Sequence, residues 1–386
     1  MEFRGSIGNG GPRPGTAGAR SDLIRLPRSE APRVSIVIPS AADPQLLFAC
    51  LRSLERHLPD SIPTETVVVL DGAPEGAAAR VEAAAPGARV VSSSVRLGLA
   101  RSGNRGRRAA RGEFLALLHD DSEIEAGWLE ALVAAAHAHP GAGTVGGLVL
   151  FPDGTLQTAG VILWRDGATS PPWAGAPPRP DAFDRPRAVD FCGSSALLVR
   201  VAAWDAAGGL DVRFFPAYFV DADLAMGLRE AGWSVLFEPR ARSRHRRGAS
   251  SRKQFRDWVS ARNRASFVTK WGKAIAAQEP WDGGSPESVE RALAGAEERA
   301  RLLASGPRRA AKPPAGAETS EQPDERGALE QDLALHREYA RHLEAESEAM
   351  SGLLWWRIYR RLLPVLRPLN AALRSFRRPG SSSRTG

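Results

Sequence analysis

An α/β fold built on a mostly parallel mixed sheet, with helices on both faces and a C-terminal helical extension, is the class this sequence predicts. Three features predict it. Short β-branched or aliphatic runs stop abruptly at polar residues, as in VSIVIPS, TVVVLDG and FLALLHDD. Segments with apolar residues at helical spacing separate those runs. The composition, 43% hydrophobic and 25% charged over 386 residues, is that of a globular chain and excludes a wholly disordered or fibrous one.

The elements follow in order. Residues 1–32 are rich in Gly, Pro and Arg and read as a disordered arm, so order is expected from Arg33. Val34–Ile38 is a buried strand ended by Pro39, Leu46–Leu58 a helix and Thr66–Leu70 a second strand, which together make a β-α-β unit. A helix over 74–85, a strand over Arg89–Ser92, a helix through Asn104–Ala110 and a strand over Glu113–Leu118 continue the alternation. Beyond them the spacing predicts a helix at Trp128–His137, a strand at Gly143–Phe151, a turn at Phe151–Gly154 and a strand near Thr158–Trp164. A long Pro/Gly-rich loop over 166–186 precedes a strand at Ser195–Arg200, a helix at Asp221–Ala231, a strand at Ser234–Phe237 and a closing helix at Phe255–Trp271. The domain is therefore set at 33–275, followed by a linker with a helix at 276–328, a polar helix or short coiled coil at 329–352, a basic amphipathic segment at 353–378 and a disordered tail at 379–386. The 329–352 stretch is either a solvated helix or a means for two copies to pair as a homo-oligomer.

Two cysteines, Cys50 and Cys192, cannot build a disulfide framework or a structural zinc cluster, so a reducing compartment is expected. No apolar run is long enough for a membrane span, and no signal-like segment opens the chain. The formal net charge of +8 lies in the tail, because residues 353–386 carry eight arginines and no acid, and the rest is neutral. A nucleic-acid partner for the body is thereby disfavoured. In the tail, Arg357, Arg360, Arg361, Arg367, Arg374 and Arg378 fall to one side of a helix whose remainder is Trp, Ile, Tyr, Leu and Phe, interrupted at Pro364 and Pro368. This pattern suits an anionic membrane surface, or packing on the body.

In open α/β sheets ligands gather beyond the carboxyl ends of strands. Carboxylates stand there at three places: Asp71, Asp120 with Asp121, and Asp221 with Asp223. Singly each could cap a helix or form a turn. Adjacent carboxylates after a buried strand call for a compensating cation or a protonation shift, and a divalent metal on phosphates supplies the former.

The succession SIVIPS, VVVLDGA, GLARSGNRGRRAARGEFLALLHDDSEIEAGWLEAL and GGLDVRFFPAYFVDADLAMGLREAGWSVLFEPRARSRH resembles family 2 glycosyltransferases of the GT-A fold, above all bacterial rhamnosyltransferase-like enzymes of surface polysaccharides, over about Arg33–Lys273. The resemblance implies an inverting transferase (EC 2.4, hexosyl or rhamnosyl) moving a sugar from a nucleoside-diphosphate donor to a hydroxyl of a cell-envelope glycan or lipid-linked acceptor, with Mg2+ or Mn2+. Its setting would be the cytoplasm, peripheral on the inner membrane face.

By the same resemblance Pro39, Ser40, Ala41, Asp71, Asn104, Gly106 and Asp120 bind the donor nucleotide or sugar. Asp121 and His245 hold the metal, Asp221 is the general base, and Asp223 belongs to the acceptor site or the shell behind it. Two departures stand out: His119 occupies the first position of the metal motif, and Val220 replaces the Glu that usually precedes the base. Asn104 and Gly106 could instead open a helix, and His245 could sit in a solvated basic loop. A metal-dependent nucleotidyltransferase and an inactive membrane-associated scaffold are the alternatives. The former would carry a Gly-rich phosphate loop with a Lys near the first strand, which is absent between Pro39 and Cys50.

Overall fold

The structure, a computed structural model, describes residues 23–41, 43–178, 183–246, 252–308 and 321–352. The first 22 residues of the expected arm and the 353–378 and 379–386 segments lie outside the described residues. In chain order the elements are β1 (Val34–Ser40), α1 (Pro44–His57), β2 (Thr64–Leu70), α2 (Ala77–Ala84), β3 (Ala88–Ser92), α3 (Gly98–Ala109), β4 (Phe114–Leu118), β5 (Ser122–Ile124), α4 (Trp128–Ala138), β6 (Ala142–Leu150), β7 (Leu156–Thr158), β8 (Ile162–Leu163), β9 (Thr169–Ser170), β10 (Arg187–Ala188), β11 (Ala196–Arg200), α5 (Val201–Ala207), α6 (Val220–Glu230), β12 (Ser234–His245), α7 (Lys253–Ile275), α8 (Pro286–Ala304) and α9 (Glu321–Gly352). The chain divides into two compact units after Leu329.

The main sheet runs β10-β12-β6-β11-β4-β1-β2-β3, with β5 on β12 and β7 on β6. Its β4-β1-β2-β3 half is parallel, as the β-α alternation predicts, whereas β11 runs antiparallel to both β4 and β6. The sheet is therefore mixed. Two apolar layers cover its faces. On one, Val37, Val69 and Leu117 meet α3, α5 and α6; on the other, Ile36, Ile38 and Leu118 meet α1, α2 and α4.

Several boundaries differ from the sequence reading. The packed chain begins before Arg33: Ile24 and Leu26 are buried, and the Ile24 N–H donates to Ala84 O at 2.7 Å, because two apolar side chains among the arginines suffice to seat this segment on the first β-α-β unit. The strand expected to end at Phe237 runs on to His245, with Arg240, Arg242 and Arg244 exposed and Ala241, Ser243 and His245 buried, a strand's two-residue alternation. The short elements β5, β9, β10 and α5 depart from the sequence reading, β9 falling within the loop expected over 166–186. The helix expected within 276–328 is α8, and it is packed rather than free: Ala292 lies against Ile162 and Trp164.

Candidate active site

Each strand of the parallel half delivers its last polar residue to one edge. The Asp71 N–H, one residue past β2, donates to Ser40 O at 2.8 Å, and Ser40 Oγ at the end of β1 donates to Asp120 Oδ2 at 2.8 Å. Pro39 pairs in register with Val69, inside the sheet, and Ala41 is exposed just past the strand end. The Asp120 carboxyl is pushed up to about 6, mainly by burial, with neighbouring Asp121 adding to the rise and the Ser40 hydrogen bond opposing it. One carboxylate of the pair is thus committed to the β1 end.

Asp121 faces the other way. The antiparallel pairing of β5 with the end of β12 sets His245 opposite Ser122, and His245 Nε2 stands 3.1 Å from Asp121 Oδ1. Gln157 fixes that imidazole. Its Nε2 donates to His245 O at 3.1 Å, so its Oε1, 2.7 Å from His245 Nδ1, receives the Nδ1–H and leaves Nε2 aimed at the carboxylate. Burial raises the Asp121 pKa, but the His245 hydrogen bond and the nearby imidazoles outweigh it, and the net direction is down. His119 completes the group. Its ring lies edge-on to His245 with centroids 5.4 Å apart, and burial, reinforced by His245, lowers its pKa to about 4. His119, Asp121 and His245 each offer one donor atom within 4.8 Å of the others. Two imidazoles and a carboxylate are a donor set that fits a divalent cation.

Asp221 opens α6. Before it, Tyr218 and Phe219 take φ of 69° and 64°, uncommon for bulky side chains, and Asn263 Nδ2 holds that turn by donating to Ala217 O at 2.8 Å and Tyr218 O at 3.3 Å. Asp221 Oδ2 accepts from the Ser194 N–H at 3.4 Å, while Ser194 Oγ lies 3.3 Å from His119 Nε2. One residue therefore touches both the expected base and the His119, Asp121 and His245 group, although Asp121 and Asp221 are a hundred positions apart. Ser194 was not among the expected site residues. A Gly-Ser-Ser run ahead of a strand was its only signal, and any turn could carry it.

Val220 is buried in the apolar layer, so no carboxylate precedes Asp221 at this place. Asp223, expected near the acceptor, is buried against α7: Trp271 Nε1 and Lys270 Nζ each lie 2.7 Å from its Oδ1. Burial raises its pKa, against the pull of Lys270.

Asp71 accepts hydrogen bonds from the N–H groups of Leu97 and Gly98, the latter at 3.0 Å, and so caps the start of α3. Burial, opposed by these bonds, raises its pKa. Asn104 and Gly106 lie within α3 rather than in a helix-opening loop. Asn104 clasps Leu210 through both amide atoms, at 2.8 Å and 3.0 Å, and a Cβ on Gly106 would stand 2.2 Å from Val37 Cγ1. The Arg247-Gly248 part of the expected basic loop lies outside the described residues, whereas His245 is the last residue of a strand.

Residues 35–206 match the family model described as glycosyl transferase family 2. The mixed sheet with helices on both faces agrees with the α/β class expected from the sequence. The chain is 30% identical over 241 residues to the uncharacterized protein y4gI of Sinorhizobium fredii, a match covering 58% of this chain and 25% of that protein. It is 26% identical over 243 residues to the N-acetylglucosaminyl-diphospho-decaprenol L-rhamnosyltransferase of Mycobacterium tuberculosis, covering 57% of this chain and 78% of the relative. Among solved structures it resembles GalNAc-T7 with UDP, GalNAc and Mn2+ at 16% identity and a TM-score of 0.49, over 63% of this chain and 48% of the other. The chain thus spans a quarter of the length of the Sinorhizobium protein. Among the described residues, no helix is long and apolar enough to cross a membrane.

Proposed function

We propose that the chain is an inverting glycosyltransferase that moves a sugar from a nucleoside-diphosphate donor to a hydroxyl of a cell-envelope glycan or lipid-linked acceptor. The observation that carries this reading is the double contact of Ser194, which sets Asp221 beside the His119, Asp121 and His245 group. Asp221 takes the proton of the acceptor hydroxyl as that oxygen bonds to the anomeric carbon and the bond to the departing diphosphate breaks; a single displacement inverts the anomeric centre. Asp121 and His245 would hold Mg2+ or Mn2+, which neutralises charge on the leaving diphosphate when bound. Ser40, Ala41, Asp71 and Asp120 line the donor end. The Asp71 oxygens keep lone pairs for a base edge or ribose hydroxyl beyond those spent on α3. Asn104, Gly106 and Asp223 serve this site by fixing the helices that frame it.

The relative that acts on a decaprenol-linked sugar supports a lipid-linked acceptor, and the 353–378 pattern supports peripheral attachment to the inner membrane face. Asp221→Asn is expected to retain nucleoside-diphosphate affinity while sugar transfer falls by ~10²–10⁴-fold; undiminished turnover would move the base role elsewhere. Full-length protein should sediment with anionic vesicles and a chain ending at Gly352 should not, and equal sedimentation of the two would remove the anchor.

A further inference from the structure

We propose that His119 is a cation ligand alongside Asp121 and His245, and that this three-donor site selects a first-row transition-metal ion over Mg2+ and holds it before any nucleotide arrives. The inference deepens the reading above and rests on it for the purpose of the site. Neighbouring Asp120, bonded to Ser40 Oγ, points away from the group, so the oxygen-only pair that a lone Asp-Asp motif would offer does not form. The group instead presents two ring nitrogens and one carboxylate within 4.8 Å. Imidazole donors favour ions such as Co2+, Ni2+ or Zn2+, whereas Mg2+ prefers oxygen ligands and keeps its water.

All three donors are held in place by the protein. The His119 backbone is pinned on both sides, its N–H donating to Ser195 O at 3.0 Å and its carbonyl accepting from Ser122 N at 3.1 Å, and its ring rests on Ser194 Oγ. His245 donates its Nδ1–H to Gln157, which fixes the ring with Nε2 facing Asp121 Oδ1 at 3.1 Å, where a cation seated between the donors would take the place of a proton. A site with one protein carboxylate depends on ligand phosphates to retain its metal; three preset donors do not.

The test uses the full chain, free of metal and nucleotide, titrated with Co2+ and followed by visible d–d absorption and calorimetry. One equivalent should bind, and millimolar Mg2+ should not displace it. His119→Ala and His119→Gln, checked for folding by thermal melting, should lose at least about tenfold in Co2+ affinity and change the band, while His139→Ala on the exposed end of α4 should change neither. Uptake that requires a nucleoside diphosphate, equal displacement by Mg2+, or unchanged affinity and spectrum in both His119 variants would overturn the proposal. The two readings fail separately. Sugar transfer by a chain that takes Co2+ only with nucleotide keeps the transferase and removes this site; Co2+ bound through His119 in a chain that binds no nucleoside diphosphate keeps the site and removes the transferase.

Discussion

Three neighbouring positions, His119, Asp120 and Asp121, serve two different centres, and their hydrogen bonds decide which. Asp120 turns to Ser40 and is driven toward its neutral form by burial; Asp121 turns to His245 and is held charged. Residue identity alone could not assign these roles, because adjacent carboxylates at a strand end are told apart only by where the next strand lies. A carboxylate outside the site shows the same competition with a clearer sign. Glu65, almost wholly buried, accepts from Ser35 Oγ at 2.7 Å, the Arg111 N–H at 2.8 Å and Arg89 Nη2 at 3.0 Å. Burial raises its pKa, but these bonds outweigh it and the net direction is down. Its stabilising contribution is therefore complete above the ordinary carboxylate range and fades as the pH falls through the depressed value. Glu65→Gln should give a flatter acid limb when stability is measured by denaturant from pH 7 to pH 3; an unaltered limb would show that Glu65 plays no part in it.

At the scale of elements, α3 is the joint between the strand ends of the parallel half and the core. Asp71 caps its first turn, Asn104 ties its middle to Leu210, and Gly106 lets it lie directly on β1. Gly98, at φ 73°, brings that first turn against the Phe215-Pro216 segment, where the Leu99 N–H donates to Pro216 O at 2.8 Å. Gly106→Ala places a methyl inside Val37 and should cost about 1–3 kcal/mol. Adding Val37→Ala should recover part of that loss in a double-mutant cycle, and additive losses would mean that the helix fails for another reason. The elements most legible in the sequence were those whose period belongs to one structure, such as β1, β2, β4, α1 and α4. β12 was cut short because Glu238-Pro239 resembles a strand end, although the alternating arginines of RARSRH carried the readable signal of a continuing strand. That extension delivers His245 to the group it forms with His119 and Asp121.

Across the first unit, long-range links close the sheet's far side. Asp190, buried ahead of β11, accepts from the Leu163 N–H at 3.0 Å, from Gln278 Nε2 at 3.3 Å and from Arg299 Nη2 at 2.7 Å, with Arg229 at 3.3 Å. It thereby joins β8, α6, the segment after α7 and α8. Asp190→Ala leaves the partly buried Arg229 and Arg299 guanidinium groups without their carboxylate and should cost about 1–3 kcal/mol, read as a lower denaturation midpoint. A loss near zero would mean that α8 is held by its apolar contacts alone.

The sequence by itself determined the β-α alternation, the parallel half of the sheet and the strand-end carboxylates, because apolar period and residue chemistry are local properties of the chain. It also marked Asp121, His245 and Asp221 through their resemblance to a family. Only the tertiary structure decided that Asp120 turns away, that His119 joins Asp121 and His245, that Ser194 links this group to Asp221, and that Asp223 and Asn104 are spent on packing. Those outcomes depend on strand register and on contacts between residues from 27 to 126 positions apart, and no local pattern encodes a register.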